Sequence, residues 1–324
     1  MSANTKQLIQ QTFDIDIDSD LFDPRFDYVA KRVLTADSAE SKQALICLLN
    51  ATFKQFNRAS VVDLTVINPE IPVDNKHFKK ARFDIRVKFQ NGEQGIIEIE
   101  WGKKDNFKKR SQFIISKAYS SQEINNKTYS DLKRCYLICI VDYTLFEADD
   151  KYFRDGMFRD AVGKPITDDQ IIIFFELSKI EKLLEQPVEE LTDIECWLIF
   201  FKYATDKSKR ALLNKILKKE EGVGMAAQIL QTISKDEQER LAYESQLIYE
   251  LDQRSAEKSA ELRGEQRGRQ IGQQIGQQIG QQIGQQIGQQ NALLQVAKAL
   301  KLKNYPLEDI AESTGFPIEE LVLL

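Results

Sequence analysis

KKARFDIRVKFQNGEQGIIEIEWGKKDNFKKR, residues 79–110, is the stretch that decides the fold of this 324-residue chain. Apolar and polar residues alternate in two runs, and the dipeptide Asn91-Gly92 lies between them. Alternation with a period of two on both sides of a turn dipeptide indicates a β-hairpin. The stretch therefore predicts two antiparallel strands joined by a short turn.

The register of this hairpin follows from its apolar side chains. Each strand carries them on one face, namely Phe83, Ile85, Val87 and Phe89 in the first strand and Ile97, Ile99 and Trp101 in the second. Both sets reach one core only if the numbers of paired residues sum to an even number. A three-residue loop that ends at Gly92, with this glycine in the left-handed region, gives an even sum. Asp84 is then expected opposite Glu98, with Glu100 on the same face.

Three carboxylates therefore converge on the polar face of the predicted hairpin. Like charges that lie directly opposite each other destabilise a sheet. A divalent cation would turn this repulsion into a binding site, because Mg²⁺ prefers oxygen ligands and takes one or two carboxylates together with substrate phosphate. Two interpretations follow, a metal site at Asp84 and Glu98 or a solvated strand face that carries ordinary acids.

Basic residues flank the acidic cluster on both sides, although the net charge of the chain is −5. They are Lys76, Lys79, Lys80 and Arg82 before the hairpin and Lys103, Lys104, Lys108, Lys109 and Arg110 after it. Such groups could hold a phosphate backbone around a central metal ion. The alternative is a surface that is merely rich in lysine.

Cysteine and histidine usage excludes several classes of site. Four cysteines without a CxxC pair, at 47, 135, 139 and 196, indicate reduced, buried thiols and a cytoplasmic protein. His77 is the only histidine, which argues against a histidine-bound zinc site and against a Ser-His-Asp triad. The sequence contains no run of about 18 apolar residues, so no membrane span is expected. The N-terminus lacks the pattern of a secretory signal.

The order of the remaining elements predicts an α/β fold. Residues 26–34 and 41–56 have helical spacing, 61–67 predict a strand, and a helix is expected from about Asp105, as its N-cap, to Ile124. Continuous apolar runs at 135–143 and 171–177 are typical of strands buried on both faces. We expect a mixed central β-sheet flanked by helices, a restriction-endonuclease-like core, followed by a helical C-terminal region.

Four segments are predicted along the chain. A core at 1–190 precedes a helical extension at 191–262, an IGQQ repeat at 263–290 and a small helical module at 291–324. Glycine recurs every four residues through the repeat, and each glycine costs about 1 kcal/mol in a helix relative to alanine. The repeat is therefore either a flexible tether or a helix that forms on self-association.

The hairpin acids resemble the D…ExK motif of PD-(D/E)XK nucleases, and the chain is more specifically similar to the Rpn recombination-promoting nucleases, also described as putative transposases. The similarity extends over nearly the whole chain. It includes FDYVAKRVL, with Asp27 and Lys31 in matching places, ALICLLNATF, and the C-terminal LEDIAESTGFPIEEL. It also includes KKRSQFIISKAYSSQ, whose matching residues are Arg110, Lys117, Tyr119 and Gln122.

This resemblance implies a metal-dependent DNA endonuclease linked to recombination or transposition. Asp84 and Glu98 would bind Mg²⁺, or another divalent cation such as Mn²⁺ or Ca²⁺, with the carbonyl of Ile99 as a further ligand. Arg110 would contact phosphate. Asp27 would lie near the metal or only hold its own helix in place.

Glu100 departs from the family pattern, which has Lys or Gln at this catalytic position. A carboxylate cannot supply the positive charge of a lysine, so Glu100 would ligate a second ion or weaken the site. Lys103, Lys104 or Lys117 could reach into the site instead and bind substrate. The alternative function is a catalytically weakened nuclease fold that acts as a DNA-binding or self-associating regulatory protein. A homo-oligomer would form through the helical extension, the repeat or the C-terminal module.

Overall fold

The structure, a computed structural model, describes residues 14–16, 18–67, 83–122 and 128–324. Basic residues predicted before the hairpin, and His77, lie outside the described residues. Two compact units divide the chain, residues 1–247 and 248–324. The expected fold class is confirmed, because the first unit contains a mixed six-stranded sheet with helices on both faces.

Both antiparallel and parallel pairs occur in the sheet, whose strands lie in the order β1-β2-β3-β4-β6-β5. The antiparallel pairs are β1 with β2, β2 with β3, and β5 with β6, whereas β3, β4 and β6 run parallel. The strands are β1 Leu64–Val66, β2 Ile85–Phe89, β3 Gln94–Glu100, β4 Cys135–Val141, β5 Phe153–Arg159 and β6 Pro165–Glu176.

Nine α-helices occur in the described residues, and the first seven are longer than the last two. They are α1 Asp27–Thr35, α2 Ala39–Gln55, α3 Phe107–Ser120, α4 Asp193–Tyr203, α5 Arg210–Lys219, α6 Glu221–Lys235, α7 Glu237–Leu302, α8 Leu307–Thr314 and α9 Ile318–Leu323. Short 3₁₀ turns are found at Tyr129–Asp131, Leu177–Lys179, Glu181–Glu185, Val188–Glu190 and Lys207–Lys209.

The predicted register of the hairpin is confirmed. Ile85 lies opposite Ile97 and Lys88 lies opposite Gln94, so that paired residue numbers have the expected even sum. The Gly92 N–H donates to the Phe89 carbonyl at 2.9 Å, and Gly92 has a φ of 85°. A left-handed residue at this position is what a three-residue loop requires, and glycine adopts it without a steric penalty.

Two apolar clusters cover the two faces of the sheet. The larger one joins the sheet to α1, α2 and α4–α6, and the smaller one lies beneath α3. Phe83 belongs to the smaller cluster with Ile96 and Phe107, so the prediction that it shares a face with Ile85 was wrong. Phe83 precedes the first residue of β2, and alternation does not constrain a side chain outside the paired ladder.

Several elements differ from the sequence prediction. The sequence prediction missed β5, because apolar and polar residues do not alternate regularly in FRDGMFR. In the structure this strand is half-buried and lies at the edge of the sheet. The helix α3 begins at Phe107, with Asn106 rather than Asp105 at the cap position. The predicted strand at 61–67 is paired over only three residues, Leu64–Val66.

The C-terminal unit contains the repeat in helical form. Residues 263–290 lie inside α7, and each isoleucine from Ile271 to Ile287 is about half exposed. Ala297, Ile310 and Leu321 form a small separate core. None of the helices in the described part of the chain combines the length and the apolar character needed to cross a bilayer. Self-association through the repeat stays a prediction.

Candidate active site

The two hairpin strands bring Asp84 and Glu98 together through their own backbone. The Asp84 N–H donates to Glu98 Oε1 at 3.1 Å, and the Ile99 N–H donates to Asp84 Oδ2 at 3.0 Å. Each carboxylate is thus fixed by an amide of the opposite strand. The sequence prediction that these two acids face each other is confirmed in geometry, and their role as metal ligands stays a prediction.

The acidic residues of β3 are more buried than the alternating pattern of the hairpin predicted. Every residue of β3 is buried, Glu98 completely, because α3 packs over this face of the sheet. Glu98 pairs in register with Cys139 of the parallel strand β4. Of the two interpretations from sequence, a solvated strand face is therefore excluded.

Burial and mutual repulsion change the acidity of both groups. Burial, and then the charge of Asp84, raise the pKa of Glu98 to about 8. Burial raises the pKa of Asp84 as well, and the neighbouring charge of Lys31 partly opposes this shift. A buried carboxyl beside a second carboxyl keeps its proton more firmly because water no longer stabilises the charged form. Positive charge placed beside these two carboxyls would therefore favour their ionised forms.

Arg110 joins two of the acids from the first turn of α3. Its guanidinium donates to Glu98 Oε2 at 3.1 Å and to Glu100 Oε2 at 2.7 Å. Lys104 forms a second ion pair with Glu100. Glu100 is therefore held between two cations. Arg110 was predicted to contact phosphate, and in the structure its donors are directed at the acids.

Lys31 reaches the cluster from a different element. Its Nζ lies 2.9 Å from Asp27 Oδ2 on the preceding turn of α1 and 3.6 Å from Asp84 Oδ1. The Phe26 ring packs against Trp101, with centroids 4.7 Å apart, and this contact places α1 across the end of β3. Asp27 thus lies close to the acid cluster and also forms an ion pair within its own helix, so both of its predicted roles stay predictions.

The other predicted substrate-binding lysines lie farther from the acids. Lys103 pairs at 3.9 Å with Glu147, and both side chains are exposed. Lys117 is half-buried on α3, two turns after Arg110, and forms no ion pair within the part of the chain that the structure describes. Their contact with substrate stays a prediction. Lys31 was not considered for such a role from sequence, although its place in the FDYVAKRVL motif was a signal.

The chemistry of Asp84 and Glu98 is compatible with a hard divalent cation. Within the described ranges, no three Asp, Glu, His or Cys side chains form a group that would hold a metal ion by themselves. Two carboxyl groups fixed on neighbouring strands are nevertheless a suitable donor pair for Mg²⁺, which typically completes its coordination with water and phosphate. Asp84 and Glu98 are the residues that could hold it.

Comparison with known proteins gives one family. The model of the PD-(D/E)XK nuclease family transposase matches residues 24–260, well over half of the chain. This range includes α1, the hairpin, the loop that carries Lys104, and α3, and therefore every acid and cation described above. No curated protein and no solved structure matches the chain.

Proposed function

Because the chain belongs to the PD-(D/E)XK nuclease family transposases, we propose that it is a divalent-cation-dependent DNA endonuclease whose cation is held by Asp84 and Glu98. The observation that carries this proposal is the pair of backbone amides that fix these two carboxylates on facing strands. Family membership supports a nuclease connected with transposition. The cation, the substrate and the activity are the proposed part.

In this proposal Asp84 and Glu98 would bind the cation, and Arg110 would orient Glu98. A bound cation would polarise the scissile phosphate and lower the pKa of an attacking water. The Asp84 and Glu98 carboxylates are held in place for this role by backbone amides. The Ile99 N–H donates to one oxygen of Asp84, and the Asp84 N–H donates to one oxygen of Glu98. Arg110 orients Glu98 through the second oxygen and also neutralises part of the buried charge.

Glu100 supports a second candidate function. It occupies the place of the family's Lys or Gln, and its ion pairs with Arg110 and Lys104 engage two cations that could otherwise act on the scissile phosphate. A nuclease fold altered in this way would bind DNA without cutting it, and would act as a regulatory protein.

Cleavage of supercoiled plasmid tests both functions. We expect nicking or linearisation with Mg²⁺ or Mn²⁺, and a loss of at least about 10²-fold in Asp84→Asn, the order reported when a transition-state-stabilising group is removed. Asp150→Asn is the matched control, because Asp150 is an exposed aspartate that pairs at the surface with Lys182.

Three outcomes separate the candidates. Cleavage by the wild type that Asp84→Asn abolishes and Asp150→Asn retains supports the endonuclease. A wild type that is inert with Mg²⁺, Mn²⁺ and Ca²⁺, beside a Glu100→Lys variant that cuts, supports the second candidate. Cleavage that survives in Asp84→Asn refutes the proposed site.

A further inference from the structure

Among the described residues, three cationic side chains surround the acids, and they differ in the groups with which they pair. Lys104 is paired with Glu100, and Arg110 is shared between Glu98 and Glu100. Lys31 is the cation whose acidic neighbour on the hairpin is Asp84, one of the two proposed cation ligands. A divalent cation at Asp84 would compete with Lys31 for the same carboxylate.

We propose that Lys31 supplies, from α1, the positive charge that Glu100 cannot supply, by contacting the scissile phosphate beside Asp84. This inference rests on the proposed function. The role of Lys31 in this proposal is electrostatic, and no proton is transferred from it. A fixed ammonium directed at an oxygen that gains negative charge stabilises the transition state more than the ground state.

The helix α1 holds Lys31 firmly enough for this role. Val29, Val33 and Leu34 are buried in the main core, so the inner face of α1 is fixed against the sheet. The Tyr28 hydroxyl donates to Glu239 Oε2 at 2.7 Å and ties the outer face to α7. The side chain of Lys31 is about one quarter exposed, which leaves the ammonium accessible to a ligand.

Asp27 would keep Lys31 in place after a cation has occupied Asp84. It lies one turn before Lys31 and accepts from its Nζ at 2.9 Å, a shorter contact than the 3.6 Å to Asp84. The ammonium has three donors. One donor bound to Asp27 leaves two for a phosphate oxygen or a water, so the ion pair with Asp27 positions Lys31 without occupying it fully.

Competition for Asp84 gives the inference a signature besides activity. Lys31→Met removes a charge that opposes cation binding, so Mn²⁺ should bind roughly two- to fivefold more tightly, as expected for the loss of one partly exposed ion pair. The same substitution should slow cleavage about 10²-fold. A residue that only stabilised the fold would not change these two quantities in opposite directions.

The experiment measures both quantities in the full chain. Mn²⁺ affinity is measured by calorimetry without DNA, and single-turnover plasmid cleavage is measured in Mg²⁺, for the wild type, Lys31→Met, and Lys31→Met combined with Glu100→Lys. Lys54→Met is the matched control, an exposed lysine on α2 that pairs with Asp193. We expect tighter Mn²⁺ binding and slower cleavage in Lys31→Met, recovery of at least tenfold when Glu100→Lys is added, and wild-type values in Lys54→Met.

The possible failures are distinguishable. Wild-type cleavage that persists within threefold in Lys31→Met overturns the role of Lys31 and leaves the endonuclease intact. A loss of cleavage with weaker Mn²⁺ binding and no recovery by Glu100→Lys also overturns it, because that pattern marks a collapsed site. A wild type that does not cleave overturns the proposed function, and the inference with it.

Discussion

Glu98 should make the cation-free protein less stable as the pH rises. Its pKa in the folded chain is about 8, compared with an ordinary value of 4.5. Between these values the folded chain keeps a proton that the unfolded chain has released. The contribution of Glu98 to stability is therefore fully present below pH 4.5 and is lost as the pH rises through about 8.

The magnitude follows from the difference between the two pKa values. A difference of 8 − 4.5, about 3.5 units, corresponds to about 5 kcal/mol in total, at 1.36 kcal/mol for each unit. One extra proton bound in the folded chain lowers the free energy of unfolding by about 1.4 kcal/mol per pH unit, which amounts to about 3 kcal/mol between pH 5 and pH 7. Because other groups titrate too, the quantity to compare is the difference between the wild type and Glu98→Gln, which cannot titrate at this position.

Urea denaturation in the presence of a chelator measures this difference. We expect the wild type to lose about 3 kcal/mol relative to Glu98→Gln between pH 5 and pH 7. Added Mg²⁺ should restore stability at pH 8 in the wild type and not in Glu98→Gln. Glu185→Gln, at an exposed position, should follow the wild-type curve. A difference between wild type and Glu98→Gln that stays constant within 0.5 kcal/mol across this range would refute the reasoning.

Two glycines on different helices should respond in opposite ways to alanine. In Gly222→Ala the new Cβ would meet Cys47 Cβ at 2.3 Å in the packed contact between α6 and α2, so urea denaturation should show a loss of about 1–3 kcal/mol; an unchanged midpoint would contradict this packing. In Gly276→Ala the new Cβ meets nothing within 4 Å, so the helical circular dichroism of the full chain should be retained to a higher temperature, by a gain of about 1 kcal/mol. A loss of helicity there would instead indicate that a second copy covers the glycine stripe.

The hairpin was predictable in detail because three constraints agreed. Apolar alternation required an even sum of paired residue numbers, Gly92 permitted the three-residue loop, and only one pairing satisfied both. The position of Asp84 opposite Glu98 followed directly. Local sequence was sufficient here, since strand and loop together form a short-range unit.

The burial of the acids could not be predicted, because it depends on an element outside the hairpin. Alternation assigns the polar residues of a strand to one face but does not say what covers that face. The helix α3 covers it through Ile114, Ile115 and Ala118, while Arg110 at its first turn neutralises the acids beneath. Lys31 was missed for a similar reason, since it is more than fifty residues away from Asp84 in sequence and meets it only in the folded chain.

Glu100 is best understood together with its two partners rather than as a single departure from the family motif. Glu100 together with Arg110 and Lys104 carries a net charge of +1, which equals the charge of the lysine usual at this position, although Arg110 also pairs with Glu98. The charge is comparable, but the donors that would deliver it are directed at Glu100 itself. The electrostatic potential of Arg110 and Lys104 still extends to a nearby phosphate. Their donors, however, are bonded to carboxylates, and a hydrogen bond to phosphate would require a donor within about 3 Å of the phosphate oxygen. The geometry therefore separates two tasks that one lysine performs together: Arg110 and Lys104 offset the buried negative charge, and direct contact with phosphate requires a cation from elsewhere, the role that we propose for Lys31.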